Sequence, residues 1–257
     1  MNLPRVYVIN LDRRPDRWAK AEMELKNAGF QNYERVSGVD GKLIDSQQLR
    51  QILHPESFNV LGSKSMFVNP RTITTLGAVG CTLSHYKIWD KIVQSGMPGF
   101  VAEDDLEFRS HTTASMPNNI AKYDFVVLGF SNLQNFEKKK DDENAVLQPL
   151  LNPAQFSGTH FYYITPEVAK VFMSFTFPLH YQTDVFLSNC LEELEKRHFK
   201  AAIAAPKSLV TQSNLETDIQ SGHNVIQYIL LGIAGFILLI LLLLFLWRRF
   251  RRSAAKK

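Results

Sequence analysis

Cysteine is nearly absent from this chain of 257 residues: only Cys81 and Cys190 occur. Two thiols in a chain this long exclude a disulfide framework, so a hydrophobic core has to hold the fold together. Asn-X-Ser/Thr acceptors are missing throughout, which agrees with a domain kept from lumenal glycosylation. No apolar targeting stretch follows Met1, so no signal peptide is expected. A phosphate-cradling Gly-Lys-Ser/Thr loop is absent, as is the aspartyl-nucleophile pattern of a phosphohydrolase. There is no internal repeat.

Positive charge is also scarce over most of the chain. The formal charge is +4, yet 6 of the 29 Lys and Arg follow Trp247, and all 25 Asp and Glu precede Val225. Residues 1–224 therefore hold 23 basic against 25 acidic side chains, a net −2. The basic isoelectric point belongs to the tail, so no nucleic-acid partner is expected; such a tail suits anionic lipid headgroups. Charge is missing altogether from residues 225–247. At about 1.5 Å per residue that segment spans a hydrocarbon core of roughly 30 Å. The expected organisation is a domain over 1–215, a linker over 216–224, a transmembrane helix over 225–247 in contact with the lipid bilayer, and a basic tail over 248–257. The positive-inside rule would hold the tail in the cytoplasm. The missing export signal argues for the opposite arrangement, a C-terminal anchor with the domain in the cytosol, and that is the expectation.

What is present alternates between strands and helices. Val6–Ile9 is β-branched and aromatic, a strand pattern. A helix is expected from about Asp16 to Ala28, with Trp18, Ala21, Leu25 and Ala28 on one apolar face and Gly29 as its stop. Tyr33–Val36 follows as a strand, and Asp45 caps a short helix through Leu53. Residues 54–76 lack periodicity and read as a loop. Gly77–Gln94 is a second helix, with Val79, Leu83, Tyr86, Trp89 and Val93 at helical spacing. Further strands are expected at Asp124–Leu128, His160–Ile164 and Ala201–Ala204. Thr165-Pro166-Glu167 opens a helix, and Thr183-Asp184 opens another running to about Arg197. The charged stretch over 134–144 reads as a solvated loop. The alternation predicts an α/β sandwich with a largely parallel sheet.

The most informative stretch is Phe100-Val101-Ala102-Glu103-Asp104-Asp105. An apolar run ends in three adjacent carboxylates. Such runs are buried strands of a parallel sheet, and ligands of open α/β sheets sit beyond the carboxyl ends of those strands. Adjacent acids repel one another and lose hydration, so they call for a positive partner. A hard divalent cation is the usual one; a solvated acidic turn is the alternative.

With these residues in view, Val6–Trp18 resembles the opening of the family 25 glycosyltransferases, a strand followed by Asn10, Leu11 and the spaced Arg13 and Arg17. Gly80-Cys81 and Ser84-His85 are similar to the family's helix motif, and Glu103-Asp104-Asp105 to its acidic motif. Gly158-Thr159 with Tyr162, then Asp184-Val185-Phe186-Leu187, resemble its later motifs, and Gln212 and Asp218 match a weaker C-terminal pattern. The resemblance covers residues 5–220. It implies a GT-A-like α/β/α sandwich and inverting transfer of a hexose, galactose or glucose first, from a UDP-sugar to a hydroxyl of a glycan, glycolipid or protein acceptor, as in lipopolysaccharide biosynthesis. It also implies a divalent metal, Mn2+ or else Mg2+, held by Asp104 and Asp105. Asn10, Arg13, Arg17 and Glu103 are the donor-binding candidates, and Asp184 is the general base. His85 and Thr159 are further candidates, His85 more as a structural histidine than as a ligand, and Cys81 is expected as a buried small hydrophobe. Ala78 and Val185 stand where the family often has acids. They keep open a second expectation, a catalytically inactive domain serving as a membrane-tethered binding protein.

Overall fold

In the computed structural model the described residues are 3–63, 65, 67–109, 116–136, 146–205 and 208–213. The expected transmembrane segment over 225–247, the linker, the basic tail and Asp218 lie outside them, as does most of the charged 134–144 stretch. Among the described residues no helix is long and apolar enough to cross a membrane.

The strands are β1 (Arg5–Asn10), β2 (Tyr33–Ser37), β3 (Gly99–Glu103), β4 (Leu106–Phe108), β5 (Phe125–Gly129), β6 (Asn132–Gln134), β7 (Leu147–Pro149), β8 (Gln155–Ser157), β9 (Phe161–Ile164), β10 (Ala201–Ala204) and β11 (Val210–Gln212). The helices are α1 (Pro15–Asn27), α2 (Ser46–Ile52), α3 (Pro55–Val60), α4 (Leu76–Ser95), α5 (Pro166–Phe175), α6 (Thr183–Asn189) and α7 (Leu191–Lys196). The main sheet runs β2-β1-β3-β9-β5-β10-β7, with β4 and β11 joined at β5, while β6 and β8 pair separately. β1 is parallel to β2 and β3, and β5 to β10. β9 runs against both β3 and β5, and β7 against β10. The sheet is thus α/β and mostly parallel in its core strands, but mixed: the expected strand at residues 160–164 is reversed. Its apolar run gave no direction, because buried strands of either sense are apolar on both faces.

Alternation along β1 sorts its side chains between two layers. Val6 and Val8 pack with Ala21, Leu25 and Phe30 on the α1 side, whereas Tyr7 packs with Ile88, Trp89 and Ile92 of α4 on the other. Burying both faces explains why these strands read as continuous apolar runs. α4 is enclosed on several sides: Ile88, Trp89 and Ile92 enter the main core, while Val79 joins a separate cluster with Leu49, Leu53, Ile73 and Leu179. A single stripe of five residues was therefore too narrow a reading of it.

Other local expectations are corrected. Residues 54–76 contain α3, opened by His54 and Pro55; six residues are too few to display a helical period. Asp45 does cap α2, with Gln48 closing a capping box. Thr165 stands at the N-cap of α5 but makes no side-chain capping bond. The long helix expected after Asp184 is two helices meeting at Cys190, whose ψ of −12° tightens the turn between them.

Gly80 shows why the helix motif contains glycine. A Cβ there would lie 2.3 Å from the Val39 carbonyl oxygen and 2.7 Å from the Gly41 nitrogen. Ser84, one turn on, accepts the Val39 N–H at 2.8 Å and donates to the Gly80 carbonyl at 2.6 Å. Gly80 and Ser84 together hold the loop after β2 against α4. Gly80→Ala is expected to lose about 1–3 kcal/mol or more through forced backbone separation, read as a lower urea midpoint with an unchanged slope. An unchanged midpoint would show that this approach is not required.

Candidate functional site at the strand ends

β1, β3 and β9 deliver the site. Ile9 is opposite Glu103 in the β1–β3 register, and Ala102 is opposite Phe161 across β3–β9. Asn10, the triad Glu103–Asp105 and the Thr159–His160 pair therefore meet at one rim. The turn between β3 and β4 holds Asp104 and Asp105 inward, both buried.

The positive charge that the acids call for is supplied, among the described residues, by Arg17 of α1. Its Nη2 is 2.6 Å from Asp104 Oδ1 and 2.9 Å from Asp105 Oδ2. Arg17 is only 7% exposed, so this is a buried clamp and not a surface ion pair. Asn10 Nδ2 donates to Asp104 Oδ2 at 2.7 Å, and Arg35 Nε donates to Asn10 Oδ1 at 2.7 Å. Burial nonetheless raises the Asp104 carboxyl above its ordinary range, against the lowering pull of Arg17 and Asn10. Gln212 Nε2 donates to Asp105 Oδ2 at 2.7 Å, and the Ser213 amide donates to the Asp105 carbonyl at 2.7 Å. Arg13 is elsewhere on the rim, its Nε bonded to Asp40 at 2.8 Å.

Glu103 faces the other way, toward α4. His85 Nε2 lies 3.4 Å from its Oε1, and Cys81 Sγ lies 3.9 Å from the same oxygen. Cys81, expected as a buried small hydrophobe, is half-buried and also faces Thr183 Oγ1 at 3.6 Å. Burial pushes Glu103 up to about 8, reinforced by the charge of Asp105 and opposed by His160. Burial also pulls His85 down to about 3, so it is neutral. Trp89 donates its indole N–H to Tyr162 Oη at 2.8 Å, and that hydroxyl lies 2.9 Å from His85 Nδ1. Tyr162 is fully buried, so its own proton has to go to Nδ1. The imidazole proton then sits on Nε2, aimed at Glu103. Gly80 with Ser84 and Cys81 with His85 are two neighbouring i, i+4 faces of one helix: the first holds a loop, the second addresses the acid.

Asp184 lies in the first turn of α6, not at its N-cap, which is Gln182. Its Oδ2 accepts the Gly158 N–H at 2.9 Å and its Oδ1 the Val185 N–H at 2.7 Å. Its charge acts on Glu103, His160 and His85, so it belongs to the same cluster. Gly158 has φ +65°, and a Cβ there would lie 2.5 Å from Ser131 Oγ, which accounts for the glycine of that motif. Sequence reasoning assigned no role to Ser131 or His160. Ser131 Oγ is 3.3 Å from His160 Nε2, and only the β-register could have brought them together.

Four polar atoms of this rim are buried without a hydrogen-bond partner among the described residues: Asp105 Oδ1, Thr159 Oγ1, His160 Nδ1 and Ser213 Oγ. Buried polar groups are nearly always paired, so a concentration of exceptions on consecutive strand ends marks where a polar ligand belongs. As a test of a divalent cation, the donor set is uneven. Both oxygens of Asp104 are engaged, by Arg17 and Asn10, whereas Asp105 keeps one oxygen open. Asp105 Oδ1 is thus the oxygen of this pair left open to a cation, and Asp104 anchors the arginine.

The chain matches Glycosyltransferase family 25 (LPS biosynthesis protein) over residues 3–187. It is 30% identical over 152 residues to a Glycosyltransferase 25 family member of Drosophila melanogaster, covering 56% of this chain and 24% of that protein. It is 35% identical over 117 residues to the Probable inactive glycosyltransferase 25 family member 3 of Bos taurus, covering 43% and 18%. The chain spans about a quarter or less of the length of these curated relatives. A solved glycosyltransferase involved in glycosylation of the major capsid of PBCV-1 covers 83% of this chain and 93% of its own, at 9% identity and TM-score 0.35; that likeness is too slight to carry weight.

Glu103 sets a pH dependence. Its folded value of about 8 lies above the ordinary 4.5, so between them the folded protein keeps a proton that the unfolded chain releases. Stability from this group therefore falls as pH rises across that window and is level outside it. Glu103→Gln, measured by urea denaturation with chelator present, should match the native chain near pH 5 and exceed it by up to a few kcal/mol near pH 8. A constant difference at all pH values would refute the assignment.

Proposed function

Since the chain belongs to glycosyltransferase family 25, we propose that its α/β domain has a GT-A-like architecture and transfers a hexose from a UDP-sugar to a hydroxyl of a glycan, glycolipid or protein, with inversion. Galactose and glucose are the first donors to test. The observation that carries this reading is the set of partnerless buried polar atoms at the strand ends, Asp105 Oδ1, Thr159 Oγ1, His160 Nδ1 and Ser213 Oγ. They offer both donor and acceptor capacity beside an acidic pair that Arg17 only half neutralises, which suits a polyhydroxylated donor whose diphosphate arrives with a cation.

Asp105 would hold a divalent cation, Mn2+ or Mg2+, which when bound stabilises the charge that develops on a diphosphate leaving group. Asn10 acts through Asp104 and Arg17 through both aspartates, fixing the turn that presents Asp105. Neutral His85 orients Glu103, whose raised value makes it a hydrogen-bond donor at neutral pH, suited to a sugar hydroxyl. Asp184 is held at both oxygens by backbone N–H groups, and each oxygen keeps a second lone pair. In a single displacement it takes the proton of the acceptor hydroxyl as that oxygen bonds to the anomeric carbon. The bond from that carbon to the diphosphate breaks, and its electron pair leaves with the diphosphate.

A second reading, an inactive domain that binds without turnover, is favoured by relatives bearing that description, one from Bos taurus at 35% identity and one from Homo sapiens at 36%. The membrane anchor and the cytosolic side remain part of the proposal on sequence grounds.

The full chain, incubated with a panel of nucleotide sugars, candidate acceptors and Mn2+, should release nucleotide with one UDP-hexose and stop in excess chelator. Asp105→Asn should abolish turnover without unfolding the domain. Asp184→Asn should lose at least about 100-fold in transfer with donor affinity by calorimetry retained; a collapse of both would assign Asp184 to the donor site instead. Donor binding with no transfer to any acceptor would favour the inactive reading. On sealed membranes with the cytosolic face outward, added protease should digest residues 1–220; protection would reverse the expected topology.

A further inference from the structure

His54, Glu56 and His180 form a cluster that the proposed transfer does not use. Each offers one ligand atom, and the three atoms lie within 4.8 Å of one another. The imidazoles come from chain segments 126 positions apart, yet backbone hydrogen bonds set their spacing. The His54 amide donates to the Leu179 carbonyl at 2.8 Å, the Leu179 amide to the Ile52 carbonyl at 2.7 Å, and the Ile73 amide to the His180 carbonyl at 2.8 Å. The rings stand 4.4 Å apart between centroids. A cluster braced in this way is preformed, which a loose surface pair of histidines is not.

The tautomer of His180 follows from Ser57. Ser57 is fully buried, and its Oγ lies 3.0 Å from the His180 carbonyl oxygen and 2.9 Å from His180 Nδ1. A carbonyl can only accept, so satisfying both contacts requires Ser57 to donate to it while Nδ1–H donates to Ser57. Nε2 is then left with its lone pair, 3.7 Å from Glu56 Oε2. An imidazole whose far N–H is held by an oxygen is the arrangement that orients metal-binding histidines. Two ligands of a tetrahedral zinc ion, with bonds of about 2.0–2.1 Å, are separated by about 3.3 Å, so the two atoms need to close by only a few tenths of an ångström. His54 Nδ1 accepts the Glu56 amide at 3.3 Å, a long cap contact that ligation would replace. Glu56 is exposed and both histidines are half-buried, so solvent can fill a fourth position.

We infer that His54, Glu56 and His180 bind a borderline transition-metal ion, zinc by preference, at a site separate from the acidic rim. Two imidazoles and one carboxylate suit zinc over magnesium, whereas the carboxylates of the rim suit hard cations. The ion would join α3 to the segment that runs from His180 into Thr183 and Asp184, and so stiffen the approach to the proposed base.

The test uses the full chain, stripped with chelator and kept in excess Mg2+ to cover the acidic rim. Zinc added to it should bind at one equivalent and raise the thermal midpoint. Cobalt should give the visible absorption of a tetrahedral nitrogen–oxygen site without a thiolate charge-transfer band. Glu56→Gln, an exposed change that keeps the helix cap, and His180→Ala should each weaken zinc by at least about 10–100-fold, the cost seen even for residues that only support a ligand. If His180→Ala fails to fold, Glu56→Gln decides. No zinc binding by the native chain, undiminished binding by Glu56→Gln, or a thiolate band that moves the ion to Cys81 would each overturn the inference.

Discussion

One guanidinium governs the geometry of the rim. Arg17 reaches from α1 to touch both Asp104 and Asp105, and without it two adjacent carboxylates would be buried with no ion pair among the described residues. Desolvating an ion costs several kcal/mol, and stripping a buried pair of one partner costs about 3–5 kcal/mol. The arginine therefore decides whether the turn after β3 can fold inward at all. Once it does, Asn10, Gln212 and the Ser213 amide find their acceptors on the same two aspartates, and β1, β3 and β11 are tied at one point.

A second layer of control lies under Glu103. Its environment differs from its neighbours': no arginine among the described residues pairs with it, and the group behind it is a neutral imidazole fixed by Tyr162 and Trp89. Three consecutive acids thus have different roles because of what stands behind each. Asp104 is spent on Arg17 and Asn10, Asp105 keeps an open oxygen, and Glu103 holds its proton. Pairs of titratable groups pushed apart by their environments are the usual basis for dividing labour in an active site.

Much of this was legible in the chain. Apolar runs bounded by turns located β1, β3, β5 and β10, and cap chemistry at Asp45 located α2. The acidic triplet was picked out because charges next to a buried strand are costly and so informative, whereas Asn10, Arg17 and Asp184 were reached through the resemblance to the family 25 motifs. The short strands β6, β7 and β8 and the helix α3 were missed, since three to six residues carry no measurable period. The direction of β9 was missed because both faces of the sheet are covered. Ser131 and His160, which belong to the rim, carried no signal of their own.

Local pattern and charge, properties of neighbouring residues, were enough for the sequence by itself to determine the types of the longer elements, the class of fold and the acidic triplet at the end of β3. Only the tertiary structure decided that Arg17 is buried between two aspartates, that Arg13 turns to Asp40 instead, and that His54 meets His180. Those are contacts between segments far apart in the chain. They depend on strand register, on burial and on which lone pairs remain unpaired after folding, and none of these is written in local sequence order.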